Sequence, residues 1–354
     1  MVDGADLELL TASRAKTARA CRRKHPLTYH LGLRTVVDVA DLRFGTLIHH
    51  GLEAWWKGLL YGRLHDDCLA AALAVTTKPD VDAWDAAKAW VLLTGYHFRW
   101  LHEPYEVLGV EVRFEGELLN PETGAASRTW RRAGKIDVLV RDRRGRVLIV
   151  EHKTSSEDIS PGSDYWKRLR MDGQVSTYFE GARLLGHSAD ACLYDVLGKF
   201  QQRQLQVPLL DEHGDKIVHN AAGERVRTGQ GKWRQTADTA QGFVLQTRPE
   251  TLEEYKARLV EAVTASPEKY FQRGEVVRLE AEMREAQLDD WQLGKQLREE
   301  QLAGRYPRNP DACDQYHRTC QYFGLCTGEA SAEDERLYQR VANVHPELAA
   351  EAPP

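Results

Sequence analysis

The sequence predicts an α/β fold of the α+β kind, a mixed sheet flanked by helices, and three observations lead there. Residues 105–155 alternate apolar and polar side chains with period two. Residues 6–102 and 251–301 carry apolar side chains at helical spacing, and between these blocks "DGQVSTYFEGARLLG" and "ACLYDVLGKF" read as a helix followed by a strand. At 354 residues the chain can bury a substantial core as one large domain or two. Its 42% hydrophobic and 29% charged content is that of an ordinary soluble protein. No apolar run approaches the ~20 residues that span a bilayer, and "MVDGADLELLTASRAKT" lacks the order of a secretory signal, so a cytoplasmic protein with no membrane partner is expected.

Taken in order, residues 6–24 read as a basic helix reaching Cys21. "LRFGTLIHHGLEAWWKGLL" is a helix from about Phe44, with Leu47, Ile48, Leu52 and Trp55 apolar at helical spacing, and 65–76 and 80–102 are further helices. "YEVLGVEVRFEGELL" is then a strand, "NPETG" a turn and "SRTWRRAGKIDVLV" a second strand; "RDRRGR" turns into "RVLIVEHKTS", the third strand of an antiparallel meander. A loop with Pro161 and Gly162 precedes the helix and the fourth strand named above. Residues 208–235, polar and rich in glycine, are expected to be an insertion or extended hairpin, and no internal repeat is read anywhere. "TLEEYKARLVEAVTAS" and "EVVRLEAEMREAQLDDWQLGKQLREEQ" are expected to be helices, followed by a cysteine-bearing segment and an acidic, mobile tail.

The second and third strands carry charge where strands disfavour it. Asp137 sits inside the apolar run Ile136–Val140, and the third strand climbs through Val147–Val150 only to end on Glu151, His152 and Lys153. Alternation puts Glu151 and Lys153 on one side of their strand and His152 on the other. If the Asp137 strand lies beside it, two carboxylates and an ammonium meet at one sheet edge, and a divalent cation between the acids offsets the cost. Few, hard oxygen ligands suit Mg²⁺ or Mn²⁺. The plainer reading is a surface ion pair of Glu151 with Lys153. A basic run, Arg128 to Arg146, surrounds these strands and suits a polyanion, or is a solvated hairpin.

Asp137 in a G-x-x-D context, fourteen residues before E-x-K at Glu151 and Lys153, resembles the PD-(D/E)XK nuclease superfamily. "GTLIHHGLE" is similar to the G-x-x-x-H helix of its RecB-like branch, at His49 with His50 as the rival. "GQVSTYFEG" is similar to that branch's Q-x-x-x-Y motif at Gln174 and Tyr178, and "VEVRF" to the strand before its G-x-x-D element. The resemblance implies a restriction-endonuclease-like core over 105–207. In it Asp137, Glu151 and the His152 carbonyl would be metal ligands and His49 a supplementary one. Lys153 would be the catalytic lysine, with Gln174 and Tyr178 contacting DNA or ordering the site. Around the core it implies an N-terminal helical segment, 1–104, an insertion, 208–235, a C-terminal helical and cysteine segment, 236–330, and a tail, 331–354.

"NPDACDQYHRTCQYFGLC" holds Cys313, Cys320 and Cys326, with six and five residues between them. Three thiols leave a tetrahedral set one short, and Cys21 in "ARACRRKHPLTY" is the candidate fourth. The arrangement resembles that of the iron–sulfur nucleases of the same branch, in phage exonucleases and CRISPR adaptation, and implies a 4Fe–4S cluster that clasps positions 292 residues apart (313 minus 21). Zinc is the rival metal, with His317 a substitute ligand. Cys68 and Cys192 are assigned to packing. The function so implied is metal-dependent hydrolysis of DNA, by an exonuclease on single strands or duplex ends in phage recombination, replication or repair. Arg131, Arg132, Arg143 and Arg144 would contact the backbone, and a recombination or repair protein would be a partner. The alternatives are trimming of DNA for CRISPR spacer acquisition and a non-catalytic iron–sulfur DNA-binding subunit.

Overall fold

The computed structural model describes residues 7–36, 40–315 and 318–349. A short strand, β1 (Glu8–Leu10), leads into α1 (Ala12–Ala20), which starts where the Thr11 hydroxyl accepts the Arg14 N–H. Then come α2 (Lys24–Tyr29), β2 (Leu33–Thr35), α3 (Ala40–Leu60), α4 (His65–Ala74) and α5 (Ala83–Trp100), the last capped by Asp82. The central strands β3 (Glu106–Leu119), β4 (Ala126–Arg141) and β5 (Val147–Ser155) form the expected meander. Helices α6 (Asp164–Leu169) and α7 (Gly173–Leu184) follow, and α7 crosses over to β6 (Ala191–Gly198).

That crossover lets β6 lie parallel to β5, and β6 is buried along its whole length, as a strand covered on both faces must be. The sheet runs β1-β4-β5-β6-β11, where β11 is Phe271–Val276, with β3 also on β4. One face, with Val138, Val140, Leu148 and Val150, packs under α3, α5 and α8 (Leu252–Ala265). The other, with Leu139 and Ile149, packs against Val175 and Phe179 of α7. A third core gathers Leu10, Ala15, Ala18, Trp130, Leu293 and Leu297, where α1 and α9 (Glu280–Ala303) close over β4.

Four expectations change. The segment from Glu275, read as helix, begins instead in β11 (Phe271–Val276), an antiparallel edge strand on β6. Its register is fixed by Arg273, which reaches across to Asp195 of β6, a buried charge pair that the surface-like sequence disguises. Residues 6–24 open with strand β1 before the helix. Between β7 (Gln206–Pro208) and β10 (Thr247–Pro249), the insertion is a stack of tight turns around β8 (Val218–His219) and β9 (Val244–Leu245). Backbone bonds from Asp211 to Asp215, Asn220 to Glu224 and Thr228 to Lys232 close turns holding Gly214, Gly223 and Gly231 at positive φ, a repeat the sequence reading missed. Lastly, the chain after β12 (Asp314–Gln315), β13 (Arg318–Thr319) and α10 (Phe323–Thr327) is no detached tail: β14 (Tyr338–Arg340) pairs with β2 and Leu348 is buried. Among the described residues no helix is long and apolar enough to cross a membrane.

Candidate active site

The strand pairing decides where the misplaced charges go. The β4–β5 ladder runs from Arg141↔Val147 to Val138↔Val150, and one step further Asp137 takes over from the backbone, its Oδ2 accepting the His152 N–H at 2.9 Å. Asp137 and Glu151 therefore face each other across two adjacent strands. Beyond Asp137, Gly134 of the G-x-x-D segment has a packing reason: a Cβ there would stand 2.4 Å from the Phe114 ring.

Strand alternation then sorts the third-strand triplet. Glu151 and Lys153 share a face, where the Lys153 ammonium pairs with Glu151 Oε1. Gln174, one turn before Tyr178 on α7, ties this pair down: its Nε2 donates to Glu151 Oε1 at 3.0 Å and to the Tyr178 hydroxyl at 2.5 Å, and its Oε1 accepts from Lys153 at 3.2 Å. The ion pair of the plainer reading exists, but its carboxylate is 1% exposed. Glu151 Oε2 is buried without a hydrogen bond of normal geometry.

His152 points through the sheet to α3 and α5. Its Nε2 accepts from Trp56 Nε1 at 3.0 Å, which leaves Nδ1 as the protonated nitrogen on the Asp137 side, 3.6 Å from Oδ2. Behind it, Tyr96 and Arg273 both donate to Asp195 Oδ2, at 2.7 and 2.8 Å. None of Trp56, Tyr96, Asp195 or Arg273 was anticipated, because each looks like an ordinary core or edge residue until the strands are laid side by side. His49, on the cleft side of α3, has Nδ1 3.8 Å from Asp137 Oδ2; His50 lines the same cleft.

The electrostatics are those of two acids at close quarters. Burial raises both carboxyls. At Asp137 the His152 contact and the charges of His49 and Lys153 outweigh it and hold the group well below the usual range. At Glu151 burial and the Asp137 charge win, and the carboxyl is pushed up to about 8. Burial works against the Lys153 ammonium, but Glu151 and Asp137 outweigh it and keep it firmly protonated. Burial likewise lowers His49 to about 4 against the pull of Asp137.

A third carboxylate, overlooked in the alternating pattern of its strand, joins them. Glu111 of β3 is the one non-glycine residue with positive φ among the described residues, at 54°, and it lines the cleft. Burial and the Asp137 charge raise it to about 7 despite its pairing with Lys135. The cleft, about 610 Å³, is lined by the acids Glu53, Glu111, Asp137, Glu151 and Glu347 against the lysines Lys135, Lys153 and Lys199. Such an acidic balance repels a phosphodiester unless cations intervene. The donor set and the open Glu151 oxygen fit a hard divalent cation. Among the described residues no group of three or more His, Cys, Asp or Glu is gathered tightly enough to hold a metal ion, the cysteines included; Asp137 and Glu151 are turned onto the protein's own donors.

The four arginines expected to contact a polyanion line neither this cleft nor its neighbour. Arg132 is buried, with Glu180 and Asp290 as its ion-pair partners, so its guanidinium holds β4 to α7 and α9 and meets no surface. Arg131 pairs with Glu115 at 3.2 Å, and Arg143 and Arg144 are exposed in the turn at the far ends of β4 and β5.

Cys21, Cys313, Cys320 and Cys326 line one cavity of about 520 Å³, and none is in a disulfide. Burial raises the Cys326 thiol and the three other cysteines add to it, while Arg23 opposes them. His317 lies outside the described residues. Cys68 and Cys192 are fully buried in the two large cores.

The structure thus brings the carboxylate pair and the lysine together where the ladder between two inner strands ends, against the helix that carries Gln174 and Tyr178. The model of the PD-(D/E)XK nuclease superfamily matches residues 9–327, and the chain belongs to that superfamily. No protein of curated function matches the sequence. Among solved structures, SSO0001 is 16% identical with a TM-score of 0.20, the match covering 46% of this chain and 65% of that one, less than two thirds of its length. A "Putative exonuclease" from Eubacterium rectale is 12% identical with a TM-score of 0.33, over 73% and 79% of the two chains.

Proposed function

We propose that the protein is a Mg²⁺- or Mn²⁺-dependent deoxyribonuclease, an exonuclease on single strands or duplex ends serving recombination, replication or repair, in a phage setting. The observation that carries the metal-dependent reading is the facing of Asp137 and Glu151 in a cleft with more carboxylates than ammonium groups. Asp137, Glu151, His49 and the His152 carbonyl would hold the cation. Once bound there, it supplies the charge that acidifies a water and neutralises the scissile phosphate.

The chain's own residues do the rest. Lys153 is kept protonated, so it acts as a hydrogen-bond donor to the attacking water or the developing oxyanion and not as a general base. Gln174 keeps its ammonium in place from one side, and Tyr178 braces Gln174. Trp56 fixes the His152 ring so that its Nδ1–H faces Asp137, keeping that carboxylate charged. Drawn from both ends of the chain, the four cysteines would hold a 4Fe–4S cluster, with zinc as the rival. Iron and sulfide analysis of anaerobically purified protein, with absorbance near roughly 400 nm, tests this; one zinc and no iron refutes it.

Digestion of end-labelled single- and double-stranded DNA and of a closed circle tests the activity. Mg²⁺ should be required and EDTA should stop it, and the closed circle should survive. Cleavage that persists in EDTA overturns the metal-dependent reading; cutting of the circle overturns the exonuclease.

A further inference from the structure

Beside the carboxylate cleft lies a second one of about 710 Å³, a volume typical of ligand sites. The two are continuous: Ser13 of α1, Lys153 of β5, and Gln174 and Thr177 of α7 line both. One wall of the second cleft is α1, presenting Lys16 and Arg19; the other is the segment around α6, presenting Tyr165, Arg168 and Met171.

The lining has two chemistries. Lys16 is exposed and has no ion-pair partner among the described residues. Arg168 is paired with Glu157, but both are half exposed, so the pair is weak and a phosphate can displace the carboxylate. On the Arg168 wall the Tyr165 ring lies beneath the guanidinium, its centroid 5.8 Å away, and the Met171 side chain is 89% exposed. Cations along the walls with aromatic and apolar faces beside them are what a single strand needs, the first for its phosphates and the second for its unstacked bases. A duplex keeps its bases against each other and would leave Tyr165 and Met171 without a partner.

We propose that the second cleft binds the single-stranded nucleotides flanking the scissile phosphate, one strand passing from Lys153 outward between α1 and α6. This rests on the nuclease reading of the first cleft, and it adds which strand form the enzyme holds and where. The polyanion contacts then lie on Lys16 and Arg168, and not on the basic hairpin; Arg19, on the same wall, is committed to Asp290.

Fluorescence anisotropy of the full-length protein in EDTA tests it, with a labelled oligothymidylate of about twelve nucleotides and a hairpin duplex of similar length as probes. The single strand should bind more tightly than the duplex. Lys16→Glu combined with Arg168→Glu should weaken the single strand at least about tenfold, with a shallower salt slope, and Tyr165→Ala about tenfold. Arg284→Glu, a charge reversal on α9 lining neither cleft, should change nothing. Equal binding of both probes, or single-strand binding that the three substitutions leave intact, overturns the proposal. Wild-type turnover of bis(p-nitrophenyl) phosphate with Mn²⁺, a diester that needs only the first cleft, reports separately on the nuclease reading. If that diester is untouched while the single strand still binds through Lys16 and Arg168, the nuclease reading falls and the single-strand site stands.

Discussion

The carboxylate cleft and the cysteine cavity both collect metal-binding side chains, but the protein holds them in place differently. Asp137 and Glu151 sit on adjacent strands at the end of a ladder and are braced from one face by Gln174 and Lys153. From the other face Trp56 braces His152, which bonds Asp137 through its backbone N–H. The cysteines sit on short or irregular pieces. Cys21 ends α1, Cys313 and Cys320 flank the two-residue strands β12 and β13, and Cys326 lies in the five-residue α10. Little beyond Leu33, Tyr322, Tyr338 and a few hydrogen bonds, such as Asn309 Nδ2 to the Ala20 carbonyl at 2.8 Å, ties them together. The sheet therefore sets the cleft whether or not an ion is present, whereas a metal held by the cysteines, as proposed above, would supply much of the order of its own surroundings.

The widest separation of the two regions comes from substituting one key side chain in each. Lys153→Ala should lower kcat about a hundredfold to a thousandfold while leaving the melting temperature within a few degrees. Cys326→Ala should do its damage in the melting curve, lowering Tm by about 5 °C or more as the α1–α10 connection loosens. Steady-state kinetics and calorimetry on both variants check this. A Lys153→Ala protein that unfolds, together with a Cys326→Ala protein that melts like the wild type, would reverse the contrast.

Arg132 gives the next largest effect and asks whether a basic residue serves the surface or the core. Arg132→Ala removes the buried partner of Glu180 and leaves Asp290 with Arg19 alone, and should cost about 3–5 kcal/mol in urea unfolding. Arg143→Ala, in the exposed turn, should stay within about 0.5 kcal/mol of wild type. Arg132 is also where sequence reading reached its limit. In "RTWRRAGK" it is one of several arginines, and nothing local distinguishes the one that meets Asp290 on a helix 158 residues later. The same holds for β11, which does not read as a strand, its last two residues joining the helical pattern after it, because Arg273 only makes sense beside Asp195. Asp137, Glu151 and Lys153 were legible because charges stand out in apolar strands where period two fixes faces, whereas Gln174 and Tyr178 were reached through the resemblance to the Q-x-x-x-Y motif, i,i+4 only placing them on one helix face. Local periodicity shows what one element presents, and it is silent on which distant charge will answer.

The two regions should also respond to pH with opposite sign. In the cleft, Glu151 has its folded-state pKa raised from 4.5 to about 8, so the native protein favours the protonated carboxyl. Its contribution is full below 4.5 and is lost as pH rises to about 8. Near the cysteines, His25 is held by burial and by Arg14, whose Nε donates to its Nε2, at about 3 instead of 6.5. It favours the native state above 6.5 and loses that contribution as pH falls toward 3. In metal-free protein, Glu151→Gln should flatten the alkaline loss of Tm and leave the acid side unchanged, and His25→Gln should do the reverse. Melting curves at intervals across the range of these shifts, from about 3 to about 8, decide it. If both variants flatten the same limb, the assignment of the two limbs is wrong.

The smallest expected effect concerns Glu111, where the cleft itself stores strain. A side chain at φ 54° costs about 1–2 kcal/mol relative to the ordinary helical or strand regions, and glycine there would relieve it while adding freedom to the unfolded chain. Its carboxylate is moreover raised to about 7 by burial and by Asp137, so it is held close to a like charge as well as in an unfavourable backbone. Neither cost is offset by the Lys135 pairing alone if that pairing is worth the usual fraction of a kcal/mol. The position therefore makes sense only if the carboxylate is wanted beside Asp137. Glu111→Gly should leave stability unchanged or raise it by up to about 1 kcal/mol, while Mg²⁺-supported cleavage falls about tenfold. Glu111→Gln, which keeps the backbone conformation but removes the charge, should lose activity to the same extent; full activity in Glu111→Gln would mean the strain at this strand serves packing and not the cleft.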